Sequence, residues 1–423
     1  MTKLFTPALF IALSNVIVFA VINGFQLATQ EPIYYVNKWI MHGGDYQDFY
    51  QASAHILNSQ SPYLVSRYVT PPLFALANTP LAMLGFKTAW FIFSSLIPFT
   101  ILFSYLLIYR ALKESDVQDD GLLLFSGLLV ILFSYPFYFL FERGNIDGVV
   151  LLCMCAGLYL LPQKAWLGGL LLASAILFKL YPLLLLASLF FSRRWKPFLW
   201  TCAWLLLLIF LTLPYWDDYF TSSFHRAYYF RLDENGSLVN TVMIIIVFVR
   251  LLVLGDVGNT FDEYSSQYTA VLYGLLVVIM LYADYKLSNR TTEREKLSDM
   301  LLYFPFMVAI PQLVYHYEFV VVILLLPVLN FMWKDTLSKQ KKYCLVLVAI
   351  GVSLSQWQAV ALYLVSGNML AHYIPGFGLM IAILGISAYK LLQMRDELRQ
   401  VILEPISQNT SKFSNIENLK PEI

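Results

Sequence analysis

Charge is what this sequence has least of. Only 13% of its 423 residues are Asp, Glu, Lys or Arg, against 59% apolar residues. Soluble domains average about 25% charged and about 45–50% apolar residues. Mean hydropathy is +0.65, more apolar surface than soluble cores of a chain this long would hide, which excludes a water-soluble globular protein. The few charges nearly cancel, leaving +1, so a bulk electrostatic partner such as nucleic acid is excluded. Cysteine is scarce as well. The four residues Cys153, Cys155, Cys202 and Cys344 all lie in apolar runs, and the first two, spaced by two, point to different sides of a helix. They read as small packing residues, with no disulfide framework or metal site expected. Neither an internal repeat between the two halves nor a low-complexity segment is evident.

What the chain has is apolar runs long enough for spanning helices, which need about 20 residues. The first, Leu4 to about Ala28, is too long for a signal-peptide core and reads as an uncleaved span with Lys3 inside. A polar segment, Gln30 to Pro72, precedes a second long apolar stretch ending at Arg110. Further runs fall at about 121–141, 147–161, 165–179, 182–192, 197–214, 268–285, 299–315, 317–333, 343–364 and 374–392. Basic clusters sit at Arg110/Lys113, Lys164, Arg193/Arg194/Lys196, Lys286 to Lys296, Lys334 to Lys342, and Lys390 onward. Positive residues favour the cytoplasmic side, and twelve crossings with both termini inside satisfy every cluster. The apolar stretch Leu238 to Leu254 breaks that parity and reads as a re-entrant or interfacial helix on the outer side, or else as an ordinary span with odd parity elsewhere.

The expected architecture is thus all-α and polytopic. Residues 1–394 form one transmembrane domain, with outer loops at 30–72 and 217–267, and residues 395–423 form a polar cytoplasmic tail with a short helix. The runs at 165–179 and 182–192 are short and meet at Lys179-Leu180-Tyr181-Pro182. Irregular backbone at membrane depth is tolerated only when buried or lining a wet cavity. A cavity opening from the outer face is therefore expected there, with local thinning or helix tilt as the alternative.

In this layout the informative polar residues share the outer side. The first outer loop carries Asp45 and Asp48, three apart and so on one face of a helix. It continues to Tyr68-Val69-Thr70-Pro71-Pro72, where the double proline sets an extended entry into the next helix. Asp45 reads either as a solvated or helix-capping acid or as a reactive one. The tight turn Glu142-Arg143-Gly144-Asn145-Ile146-Asp147 holds ionisable groups that are costly between spans unless paired or wet. Arg143 is open to a structural ion pair with Glu142 or Asp147. His316, near Glu318, lies in the turn between runs nine and ten, and reads either as a packed, hydrogen-bonded residue or as part of a site. Asp45, Asp48, Arg143, Lys179 and His316 on one face combine a carboxylate able to take a proton from a hydroxyl with cations able to stabilise charge on a leaving phosphate. That is the pairing required for sugar transfer from a lipid phosphate, whose departure turns a phosphodiester into a more highly charged monoester.

These residues, in this order, resemble glycosyltransferase family 87 over about Gly44 to Pro327. The stretch Asp45 to Ala52 with Ser61-Pro62-Tyr63 looks like the family's acidic loop. Tyr68 to Phe74 looks like its aromatic-Pro-Pro motif, with Thr70 where Tyr is usual. Arg143 to Asp147 is similar to its Gly-x-Asn turn, and Phe178-Lys179-Leu180-Tyr181-Pro182 with Arg193-Arg194-Trp195 to its Lys-x-x-Pro segment and basic turn. The last motif departs: Leu313 and Val314 stand for Ser and Trp, and Tyr317 for a second His, leaving His316. The resemblance implies a GT-C-type membrane transferase using polyprenyl-phosphate sugars, mannosyltransferase-like, inverting, and acting on the periplasmic or outer side of the plasma membrane. It implies Asp45 as general base with Asp48 as second candidate, and donor-phosphate contacts from Arg143, Asn145, Lys179 and His316. Tyr50, Tyr68, Pro71 and Pro72 would shape the loop on the acceptor side. No cofactor is expected beyond the lipid-phosphate sugar co-substrate. The expected partners are membrane lipid, that donor, and a lipid-linked or surface-glycan acceptor. Two other classes remain open: a transporter or flippase of a lipid-linked glycan, and a non-catalytic partner in glycan assembly.

Overall fold

The computed structural model describes residues 9–17, 43–113, 121–226, 261–288, 292–309, 321–336, 338–355 and 374–416. Among them there is no β-strand, as expected. Two helices are long and apolar enough to cross a membrane, Phe86–Leu112 and Phe377–Leu398, and a third if Trp195–Leu211 and Leu213–Thr221, bent by 68°, count as one span. This is a membrane protein. Phe86–Leu112 shows how such a helix is made. Phe93, Ile97, Ile101, Tyr105, Ile108 and Leu112 recur at helical spacing and are buried, whereas Phe91, Phe99 and Phe103 on other faces are exposed. In a lipid environment exposed phenylalanine carries no penalty.

The twelve-crossing layout is not what the described helices draw. The second apolar stretch is divided into Pro72–Ala77, Thr79–Ala82 and Phe86–Leu112, its breaks falling next to Pro71, Pro80 and Gly85, where proline removes a backbone donor. The run at 121–141 is split into Gly121–Leu132 and Tyr135–Arg143 by extended backbone at Ser134. The run at 182–192 yields only nine helical residues, Leu183–Phe191. Glu293–Leu301 and Phe304–Ala309 divide the described part of 299–315. Toward the C-terminus one helix continues without interruption from Ile374 to Ile416, straight through Met394. The helix at Phe261–Lys286 begins within the expected outer loop. The expectations for 238–254, for His316 and for Glu318 lie outside the described residues, as does most of the first run.

Close helix contacts rest on small residues. Ala165–Phe178 packs between Asp147–Leu160 and Trp195–Leu211, through Gly157, Gly168 and Gly169. Lys339–Ser355 lies along the C-terminal helix. There, a Cβ on Gly351 would fall 2.5 Å from Ala382 N and Gly378 O. Small residues let backbones approach in this way. In a free helix Gly→Ala is stabilising by about 1 kcal/mol. At this crossing the sign reverses: Gly351→Ala is expected to cost about 1–3 kcal/mol by overpacking against backbone that no rotamer change relieves. A lowered thermal unfolding midpoint of the purified protein in detergent checks it.

A buried ionic knot ties several helices of the bundle together. Lys390 of the C-terminal helix, with no exposed side-chain surface, lies 2.7 Å from Asp299 and 3.2 Å from Asp284. Asp284 also accepts hydrogen bonds from Ser188 at 2.8 Å and Tyr303 at 2.9 Å. Lys390, which opens the last basic cluster of the sequence, thus sits inside the protein, its one positive charge shared by two carboxylates contributed by different helices.

Candidate active site

The first described loop folds into the helix Gly44–Leu57. It starts at Gly43, whose φ of 77° is left-handed and which has the Trp90 ring only 2.5 Å from where a Cβ would stand, so glycine is required. Tyr46, Phe49, Ala52 and Ser53 form its buried stripe. Phe49 meets Phe74, and Tyr46 stacks on Phe93 at 4.7 Å between ring centres. This anchoring leaves the polar stripe of Gln47, Asp48, Gln51 and His55 facing outward, with Asp45 in the first turn.

The helix Tyr135–Arg143 ends at Gly144, in the left-handed conformation at φ 65° and so close to Tyr46 that a Cβ would lie 2.9 Å from it. Leu140 O accepts both the Gly144 and the Asn145 N–H, a closing pattern typical of helix C-termini. The tight turn places Arg143 and Asn145 on either side of one carboxylate, that of Asp45. Arg143 Nε donates to Asp45 Oδ1 at 2.7 Å, joined by Nη2, and Asn145 Nδ2 donates to Oδ2 at 2.6 Å. Asn145 Oδ1 accepts the Asp147 N–H at 3.2 Å, which fixes the orientation of its amide. The ion pair foreseen for Arg143 within its own turn is thus made across 98 residues of chain, with Asp45.

Asp147 is the residue that sequence reasoning passed over as a site group. It is fully buried. Its Oδ2 takes a hydrogen bond from Lys179 Nζ at 2.8 Å and its Oδ1 one from the Tyr181 hydroxyl at 3.0 Å. The helix Ala165–Phe178 stops just before Lys179, which is extended, and this break turns the Lys179 and Tyr181 side chains onto one acceptor. The only signal in the sequence was the acid's position two residues after Asn145. Asp45, Arg143, Asn145, Asp147 and Lys179 thus form one connected, formally charge-balanced network.

A cleft of about 620 Å³ lies beside it, lined by the polar stripe of the Gly44–Leu57 helix, by residues 64–67 and by Arg143. Asp48 and Arg143 line this cleft, whereas Lys179 and the other residues of the helix break at which a cavity was expected do not. Burial pushes the Asp48 carboxyl above its ordinary value; Arg67 pulls it back, the charge of Asp45 adds to the rise, and Arg143 opposes it.

Tyr50, Tyr68, Pro71 and Pro72 do not line this cleft and instead hold the fold of the surrounding segments. The Tyr50 hydroxyl donates to Leu84 O at 2.8 Å. Tyr68 is buried; its hydroxyl donates to Pro71 O at 3.0 Å and accepts the Ala75 N–H at 3.2 Å, supplying a partner for a donor in the first turn of Pro72–Ala77. Pro71 and Pro72 are buried at that turn. Tyr63 meets Tyr219 of the helix Trp216–Arg226 at 5.6 Å, so the first loop and the segment after Leu211 pack together.

The model of glycosyltransferase family 87 matches residues 68–311, more than half of the chain. The chain belongs to glycosyltransferase family 87. No curated protein matched it. In this family-87 glycosyltransferase the matched region contains Tyr68, Pro71, Pro72, Arg143, Asn145, Asp147 and Lys179, while Asp45 and Asp48 precede it and His316 follows it. Asp45 is joined to the family region by geometry, through its contacts with Arg143 and Asn145.

Proposed function

We propose that this glycosyltransferase is inverting and takes a sugar, mannose or another hexose or pentose, from a polyprenyl phosphate. The acceptor is a hydroxyl of a lipid-linked or surface glycan, and the reaction faces the periplasm or exterior from the inner or plasma membrane. The observation that carries this reading is Asp45, whose two carboxylate oxygens are oriented by Arg143 and Asn145 beside a polar cleft.

In the proposed reaction Asp45 takes the proton from the acceptor hydroxyl as its oxygen attacks the anomeric carbon. The anomeric C–O bond breaks on the opposite face, and its electron pair leaves with the phosphate. The phosphate becomes a monoester carrying one more negative charge, so its departure needs nearby cations rather than a proton. Arg143, Asn145, Lys179 and His316 are the proposed contacts for that charge. Arg143 links the two halves, because it holds the base and also lines the cleft.

The test is direct. The purified full chain in nanodiscs is given radiolabelled mannosyl, glucosyl and arabinosyl polyprenyl phosphates, and in parallel the corresponding nucleotide sugars, with a membrane-lipid extract as acceptor. Transfer from at least one polyprenyl phosphate, with inversion at the anomeric carbon, is expected. Transfer from nucleotide sugars alone would overturn the donor assignment.

A further inference from the structure

The cleft is more polar, and more mixed in its chemistry, than a phosphate site needs. Along the Gly44–Leu57 helix, Asp48, Gln51 and His55 are spaced three and four apart, so they form one line on a rigid element. Gln47 stands beside them, and Ser66 and Arg67 face them across the cleft. Two primary amides supply both donors and acceptors, a carboxylate only accepts, and the guanidiniums of Arg67 and Arg143 only donate. That inventory matches the alternating donor and acceptor character of vicinal hydroxyls. Arg143 is shared with the proposed phosphate contacts, whereas a dianionic phosphate placed against Asp48, on the helix side of the cleft, would meet a like charge. Leu64 and Val65 add an apolar edge, suited to the C–H face of a sugar ring. The volume, about 620 Å³, lies within the range of pockets that enclose small ligands, about 300–1,000 Å³.

We propose that this cleft is the acceptor subsite, that it takes a neutral polyol, a sugar ring of the acceptor glycan, and that Asp48 and Gln51 select it through its hydroxyls. This deepens the reading of the chain as a polyprenyl-phosphate-dependent transferase and rests on it. It separates the two acids of the first loop: Asp45, tied to Arg143 and Asn145, serves the chemistry, and Asp48, on the cleft wall, holds the acceptor. Asp48 is a specificity residue here, one helical turn from the base.

The experiment uses the full chain in nanodiscs and saturation-transfer NMR with a panel of p-nitrophenyl glycosides of mannose, glucose, galactose and arabinose. Polyprenyl monophosphate, the product of the donor, is the second probe. At least one glycoside is expected to bind the native chain. Asp48→Asn and Gln51→Ala are each expected to weaken that binding at least tenfold while polyprenyl monophosphate binds as before. Gln51 is exposed, so its variant tests the proposal without a folding penalty. Glycoside binding unchanged in both variants, or no glycoside bound by the native chain, overturns the proposal. Loss of polyprenyl monophosphate binding instead would make the cleft the donor site, overturning the acceptor assignment and leaving the transferase reading intact. A native chain that binds glycosides but not polyprenyl monophosphate would retire the donor assignment while upholding the cleft.

Discussion

Asp45→Asn is expected to reduce sugar transfer by about a hundredfold to ten-thousandfold, the range over which a positioned general base acts, while the protein still accumulates in the membrane. The substitution keeps the shape of the side chain and removes its charge. Asn145 still has an oxygen to meet, but Arg143 loses the carboxylate that fixes it through two donors. Hydrogen bonds to charged groups contribute about 1.5–3 kcal/mol, so a modest fall in thermal stability accompanies the loss of rate. The two effects separate in a second variant. Arg143→Gln removes the same ion pair and leaves the carboxylate, so a purely structural pair would give both variants the same stability and the same activity. If Asp45 is the base, Asp45→Asn loses transfer while still binding polyprenyl monophosphate, whereas Arg143→Gln, at a proposed phosphate contact, weakens that binding as well. Undiminished transfer by a folded Asp45→Asn protein sinks the assignment.

The largest loss of stability is expected from Lys390→Met. The side chain is fully buried and lies between Asp284 and Asp299. Removing one partner from a buried ion pair costs about 3–5 kcal/mol, because a buried charge is left without its counterion. Here two carboxylates are left facing each other, which adds repulsion. Ser188 and Tyr303 still donate to Asp284 and soften the loss without cancelling it. Adding Asp299→Asn to Lys390→Met removes one of the two stranded charges and is expected to recover part of the stability. Thermal unfolding of the single and double variants in detergent measures both steps. A Lys390→Met protein that melts with the native one would show that the knot carries no net stabilisation.

Composition made the helical, membrane-embedded character legible, because apolarity at this level leaves few alternatives. Continuity was harder to read. An apolar run looks the same whether it is one helix or two, and at Ser134 a run expected to be whole is divided by a single extended residue. The break at Lys179 was legible because proline follows it. The acids of the first loop and the Arg143 turn were legible as candidates through their residue types, but not as one site. Asp45 and Arg143 are 98 positions apart, and only tertiary packing, with Gly144 letting Tyr46 in close, brings them together. Asp147 was legible as an acid of the tight turn and a possible partner for Arg143, not as the acceptor on which Lys179 and Tyr181 converge. Lys390 was legible only as the start of a basic cluster, because its buried partners Asp284 and Asp299 stand far back in the chain.

The uninterrupted helix Ile374–Ile416 has a mechanical consequence. Its 43 residues, at about 1.5 Å each, make a rod of about 64 Å, whereas a bilayer with its headgroups measures about 40–45 Å. Lys390 fastens this rod to the bundle from inside, and Asp396, paired with Lys341 at 2.9 Å, holds it again less than two turns further on. A helix of this length extends about 20 Å past the headgroups of a bilayer that it crosses upright.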